Sequence, residues 1–269
     1  MQTYFFNIFN KLILIETTDA YLLSIIKANF GAFADNASQG IEIDLHYIIK
    51  KTDSGITFER NNEEIVHCPD LYFFVYNLEK DITIEVQHLC NELFFMHGAA
   101  LEKNNELLLL TGRSGAGKST TTWGLLNNGF SYLSDELAPI NLDTMQVSPY
   151  PHAVCLKKHP PLYPLPEKTL ITERTMHVPA ETLPCEVHLE SFPLTKVILV
   201  EYSVDNNKPQ LTKLSKAEAC MNIYTNALNQ LAHENDGLGA ASKIAENCDV
   251  YSLQAAQLDK TCDLIKTLF

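Results

Sequence analysis

Arginine is scarce in this sequence. Only Arg60, Arg113 and Arg174 occur among 269 residues, and 33 acidic residues against 20 basic ones leave a formal charge of −13. Binding a phosphate backbone needs a basic surface, so this balance argues against nucleic acid as a partner. No run of Lys or Arg marks a membrane-surface patch, and no apolar stretch approaches the roughly 20 residues of a membrane span. No C-x-x-C pair occurs. The seven cysteines (Cys68, Cys90, Cys155, Cys185, Cys220, Cys248 and Cys262) are scattered and odd in number. That pattern argues against a zinc site or a disulfide framework and fits free thiols in a reducing cytosol. The opening Met1-Gln-Thr-Tyr-Phe-Phe-Asn lacks a basic n-region and a long apolar core, so no signal peptide is read and a cytoplasmic location is expected. Internal repeats and low-complexity tracts are missing too.

What is present is a real core: 46% of the residues are hydrophobic, too many for a disordered chain. Residues 1–78 read as a strand-rich N-terminal region. Tyr4–Phe9, Leu12–Ile15, Ile56–Glu59, Glu64–Cys68 and Leu71–Tyr76 are β-prone runs, and Ile41–Ile48 alternates at period two. Ala20–Phe30 reads as a helix between them. From residue 79 the period changes. Ile82, Val86, Leu89 and Leu93 recur at helical spacing and open a second region, 79–269.

Phe94–Leu101 and Glu106–Thr111 read as a hairpin turning at Lys103-Asn104-Asn105. A glycine-rich loop follows, then a short helix, Lys118–Asn127, stopped by Asn128-Gly129. Tyr132–Ser134 is a strand ending at Asp135-Glu136, and Leu137–Leu142 with Gln146–Tyr150 form a second hairpin. Residues 159–190 hold six prolines with little periodicity and read as one long irregular segment, in the manner of a lid. Thr195–Tyr202 reads as a buried strand. Ser215–Leu231 reads as a helix opened by the box Ser215-x-x-Glu218. Val250–Leu253 and a terminal helix, Asp259–Phe269, close the chain. Strands and helices so mixed predict an α/β fold.

The chemistry concentrates in Gly112-Arg113-Ser114-Gly115-Ala116-Gly117-Lys118-Ser119, which matches G-x-x-x-x-G-K-[ST] at every fixed position. Glycines let backbone N–H groups turn inward around a β-phosphate. Lys118 brings a positive charge to the β- and γ-phosphates, and Ser119 offers a hydroxyl to Mg²⁺. The helix N-terminus adds its partial charge. An apolar strand before the loop and a helix after it supply the setting this motif requires, so ATP with Mg²⁺ is the expected ligand.

Seventeen residues beyond Lys118 comes the acid pair. A short helix and a tight turn are expected to return the chain alongside the strand before the loop. Asp135 and Glu136 then lie beside the phosphates. One carboxylate would hold Mg²⁺ and the other accept the proton of an attacking hydroxyl; which does which stays open, because successive strand residues face opposite ways. The hairpin register sets His97 opposite Thr111, at the entrance to the loop, where it would contact a γ-phosphate oxygen or steady a carboxylate. In the proline-rich segment, Arg174 is either a solvated surface residue or a lid group that reaches the transferring phosphate.

Met96-His97-Gly98-Ala99, Thr111 through Thr120 and Tyr132-Leu-Ser-Asp-Glu136 together resemble the catalytic domain of bacterial HPr kinase/phosphorylase. They resemble still more the HPr-kinase-related proteins, with their phosphoenolpyruvate-carboxykinase-like nucleotide fold. The strong match covers about residues 94–158, with a weaker likeness in Phe192–Val200 and Val250–Leu253. The resemblance implies that Lys118 and Ser119 bind phosphate and Mg²⁺ within Gly112–Thr120. It implies Asp135 as general base, Glu136 as a metal-side carboxylate and His97 as a phosphate-proximal residue. Lys157 falls where related proteins often carry a lysine after a second hairpin, although a plain surface lysine is as consistent. Glu136 stands where HPr kinase has a second aspartate, and the glycine-rich substrate segment has no match. The acceptor implied is therefore not HPr but a serine hydroxyl of another peptide or protein, such as a ribosomally made lasso-peptide precursor. A small-molecule hydroxyl kinase, a nucleotide-binding regulator without transfer activity, and a homo-oligomeric assembly remain open.

Overall fold

The computed structural model describes residues 1–34 and 42–269; Ile41 of the expected strand Ile41–Ile48 lies outside them. The fold is a mixed α/β arrangement. Its first sheet runs in order β1 (Gln2–Ile8), β2 (Lys11–Thr17), β3 (Leu45–Thr52), β4 (Gly55–Arg60) and β5 (Val66–Cys68). Helix α1 (Ala20–Phe30) connects β2 to its parallel neighbour β3, and Asp19 caps its start by accepting from the Tyr21 and Leu22 amides.

Residues Leu71–Tyr76, expected as a strand, open helix α2 (Leu71–Leu89) instead. Two forces override the β preference of Leu-Tyr-Phe-Phe-Val-Tyr. Asp70 caps the helix through the Phe73 amide at 2.8 Å. Phe74, Leu78, Ile82 and Val86, each four residues apart, form one buried stripe against the first sheet. Full burial of such side chains is worth about 1.5–3 kcal/mol each, whereas helix propensities differ by only about 0.7 kcal/mol per residue. Packing decides the conformation.

The second sheet is built around β6 (Phe94–Lys103) and β7 (Glu106–Thr111). Their turn is two residues long, Asn104 and Asn105 at φ 56° and 62°. The hairpin centre therefore lies between these two residues, and Gly98 pairs with Thr111. His97, expected at that position, is displaced by one. Helix α3 (Lys118–Leu126) leads to β8 (Ser131–Ser134) and β9 (Leu137–Asn141). Strand β8 does not lie beside β7 as expected. It pairs with β6, so β6 separates the two. Strand β10 (Gln146–Val147) completes the second hairpin.

Strand β6 changes partners along its length. Phe94–His97 pair with β9, and Gly98–Lys103 pair with β7, with Ala100–Glu102 also pairing β8. Both β8 and β9 lie on one edge of β6, and the unpaired residues between them are Asp135 and Glu136.

The region read as irregular, 159–190, contains short order. Strands β12 (Leu170–Ile171) and β13 (Met176–Val178) join β11 (Val154–Leu156) in a three-stranded sheet. Strand β14 (Phe192–Tyr202) runs parallel to β7. Beyond it lies β15 (Gln210–Lys213), at the sheet edge. The helix expected over Ser215–Leu231 ends earlier, as α4 (Lys216–Thr225), with its capping box formed as read. Asn226–Leu228 then add to β6, His97 N donating to Asn226 O and Leu228 N to Phe95 O. Helix α5 (Leu238–Asn247), absent from the sequence reading, precedes β16 (Asp249–Ala255) and α6 (Leu258–Lys266).

Period-two alternation sorts the two faces of this sheet. Ala99, Leu101, Leu108, Leu110 and Ile198 pack under α3 and α6, while Ala100, Leu107, Leu109 and Val197 pack against α4 and α5. No helix among the described residues is long and apolar enough to cross a membrane.

At the partner switch the backbones are close. A Cβ on Gly98 would stand 2.7 Å from both Leu110 O and Leu109 Cδ1. Gly98→Ala is therefore expected to lower the unfolding free energy by about 1–3 kcal/mol in urea titrations. An unchanged midpoint would mean that β6 and β7 can separate freely.

Candidate phosphate-binding site

The glycine-rich loop occupies the turn between the end of β7 and the start of α3. Gly112 passes so close to β14 that a Cβ there would lie 2.6 Å from Val200 O, and its φ of 152° favours glycine. Arg113, Ser114 and Gly115 are exposed at the tip, and Ala116 N donates back to Arg113 O at 3.0 Å. Gly117, in a left-handed conformation, ends the loop, and Lys118, Ser119 and Thr120 form the first helical turn. The N–H groups of a first helical turn have no acceptor within their own helix, which suits them to an anion.

Lys118 does not point to solvent. Its side chain is 8% exposed, its Nζ donates to the Asp135 carbonyl at 2.8 Å, and Glu136 Oε2 stands 4.0 Å away. The acid pair is thus brought to the loop lysine, as the sequence reading required. The two carboxylates differ sharply. Asp135 is 1% exposed. Its Oδ2 accepts from the Cys155 amide at 3.3 Å, and its Oδ1 has no hydrogen-bond partner among the described residues. Burial pushes its pKa above the ordinary carboxylate value. Lys118 pulls the other way, Glu136 adds to the rise, and the Ser119 hydroxyl favours the ionised form. Glu136 has a side chain 42% exposed.

His97 joins them. Its Nδ1 lies 3.4 Å from Glu136 Oε2, and its carbonyl accepts from the Thr111 hydroxyl at 2.9 Å. Burial and the nearby Lys118 ammonium lower its pKa to about 4. The ring is therefore neutral at neutral pH, a hydrogen-bonding group rather than a cation.

Lys157, an open candidate in the sequence, is also brought in: its Nζ donates to Ser114 Oγ at 2.8 Å. Among the described residues, no hydrogen bond or ion pair brings Arg174 to the loop. Its guanidinium lies over the rings of Tyr72 and Phe73 on α2, 4.9 and 5.2 Å from their centroids. Sequence reasoning missed the Cys155 amide, because a backbone donor leaves no signature in residue types.

Among the described residues no three His, Cys, Asp or Glu side chains form a metal-binding group by themselves. A hard cation such as Mg²⁺ does not need one, since it takes one or two carboxylates together with substrate phosphate oxygens and water. The unpartnered, buried Asp135 Oδ1 beside Ser119, with Glu136 next in the chain, fits such an ion in donor type.

No protein-family model matches this chain, and no curated protein matches it. Among solved structures, it is similar to the HPr(Ser) kinase/phosphatase from Coxiella burnetii, with 14% identity and a TM-score of 0.34, over 65% of this chain and 92% of that one.

The depressed His97 value has a direction that can be measured. An unfolded histidine protonates near pH 6.5. As the pH falls from there toward 4, the unfolded chain takes up this proton first, and the group withdraws stability. In an NMR titration the His97 ring is expected to stay neutral down to about pH 5. A midpoint near 6.5 would show that it is solvated.

Proposed function

We propose that this protein is an ATP- and Mg²⁺-dependent phosphotransferase that passes the γ-phosphate to a serine hydroxyl of a peptide or protein, in the cytoplasm. The observation that carries the reading is the convergence of Lys118, Asp135, Glu136 and His97 from three separate segments onto the mouth of the Gly112–Thr120 loop.

Each residue has a task suited to its surroundings. The loop amides and Lys118 bind the phosphates, and Lys118 is already desolvated, so its charge acts at low local dielectric. Ser119 and Glu136 would hold Mg²⁺, with Asp135 near enough in the chain to join them directly or through water. Bound Mg²⁺ would neutralise charge on the phosphate oxygens. Asp135 is the general base: its raised pKa increases its proton affinity, and its free Oδ1 has a lone pair to accept the hydroxyl proton. His97, neutral, would donate a hydrogen bond to the Glu136 carboxylate. Lys157, reaching Ser114, places a second cation at the loop tip.

Exposure rises from Asp135 and Lys118, both buried, to Glu136 and His97, both partly open. An acceptor hydroxyl would approach from that open side. The resemblance of Met96–Ala99, the loop and Ser134-Asp135-Glu136 to HPr-kinase-related proteins supports a serine acceptor.

The test is incubation with ATP-Mg²⁺ and candidate peptides, proteins and small hydroxyl compounds, read by mass spectrometry. Lys118→Ala is expected to abolish ATP binding in calorimetry. Asp135→Asn should still bind ATP but transfer about 10²–10⁴-fold more slowly. Full transfer by Asp135→Asn would reject the base assignment, and phosphorylation of small compounds alone would reject the peptide acceptor. A wild type that binds no ATP would reject the whole reading.

A further inference from the structure

Away from the loop, two buried histidines meet a partly buried glutamate, and the proposed chemistry uses none of the three. Glu79 projects from α2. Its Oε1 lies 3.2 Å from His152 Nε2 and 3.4 Å from His177 Nδ1. The two imidazoles are 4% and 3% exposed. Among the described residues none of the three facing atoms has a well-aligned hydrogen bond, so the charge contact with Glu79 is what offsets their loss of water.

The remaining ring nitrogens fix the two histidines. His152 Nδ1 lies 3.0 Å from Ala153 O, and a carbonyl can only accept, so Nδ1 carries the proton. A proton on Nε2 as well would make the ring cationic and face that charge to Glu79. Burial disfavours charge on both groups, yet their mutual attraction prevails, with Glu79 held below and His152 above their ordinary values. His177 Nε2 meets the Thr175 hydroxyl at 2.9 Å. The rings of Phe30 and Tyr150 pack on His152.

These histidines flank the strand that serves the site. His152 lies two residues before β11, and its carbonyl accepts from the Tyr132 hydroxyl on β8 at 2.6 Å. His177, on β13, pairs directly with Cys155 of β11. The Cys155 amide in turn holds Asp135 Oδ2 at 3.3 Å, already at the long end of a hydrogen bond. One residue past β11, Lys157 reaches Ser114.

We propose that Glu79 is a positioning residue: by gripping His152 and His177 it fixes β11, and β11 sets both the carboxylate of Asp135 and the contact of Lys157 with the phosphate loop. The proposal rests on the phosphotransferase reading. Through it a helix packed on the first sheet governs the geometry of a base that it does not touch. Displacing a reacting group by about 1 Å can cost on the order of 100-fold in rate, so a modest shift of β11 is enough to matter.

The test uses the full chain with Glu79→Gln, which keeps size and removes charge. Two readouts are taken: hydrogen exchange of the Cys155 amide by NMR, and Mg²⁺-ATP hydrolysis with water as acceptor. The expected result is exchange at Cys155 faster by about tenfold or more, while the Leu108–Leu110 amides stay protected. Hydrolysis kcat should fall about tenfold with KM for ATP within about twofold, the pattern of a group that acts only on the chemical step. A folded Glu79→Gln with unchanged Cys155 exchange and unchanged kcat overturns the proposal, and so does a loss confined to KM. If Glu79→Gln does not fold, His177→Gln, which keeps the Glu79–His152 pair, is judged by the same readouts. If the wild type neither binds nor hydrolyses ATP, the phosphotransferase reading fails, and the Cys155 exchange rate still decides whether Glu79 holds β11.

Discussion

The site depends on one constraint in β6: the strand cannot pair with β8 and β9 at the same place, and it hands over from one to the other at His97–Gly98. The residues left unpaired at the handover are Asp135 and Glu136, and Gly98 N donates to Glu136 O at 3.2 Å across the gap. On the opposite edge, Gly98 pairs with Thr111, the last residue before the phosphate loop. A single switch of partners thus aligns the acid pair, the histidine and the loop. Its tolerance is small, because the absent Cβ of Gly98 is what lets β7 lie so close.

Much of this was legible because it is local. The run from Gly112 to Ser119 specifies its own turn, and Asp19–Phe30 carries its cap and apolar period within twelve residues. The hairpin of β6 and β7 was visible too, but its register was not. Lys103-Asn104-Asn105 does not reveal which two residues make the turn, and the answer moved His97 by one place. Leu71–Tyr76 shows the opposite failure. Its aromatic and β-branched composition fits a strand, and only the four-residue spacing of Phe74, Leu78, Ile82 and Val86, continued past position 76, betrays the helix.

The contacts that remained hidden join residues far apart in the chain. Asp135 and Cys155 are twenty residues apart and meet through a backbone amide. Glu79, His152 and His177 come from a helix, a loop and a short strand, and no spacing relates them. Such contacts follow from how two sheets pack, and composition carries no record of it. Arg174 illustrates the same point: its charge suggested a phosphate, yet the aromatic face of α2 claims it.

The burial of Lys118 has a thermodynamic corollary. Its ammonium loses water when the chain folds and, among the described residues, meets a carbonyl and a more distant carboxylate in exchange. The cost of drying that charge therefore falls on the native state rather than on the encounter. An anion settling against it meets a cation already stripped and aimed, and its affinity is returned as cohesion of the whole fold. An anion bound there would draw on the same reservoir of free energy as folding.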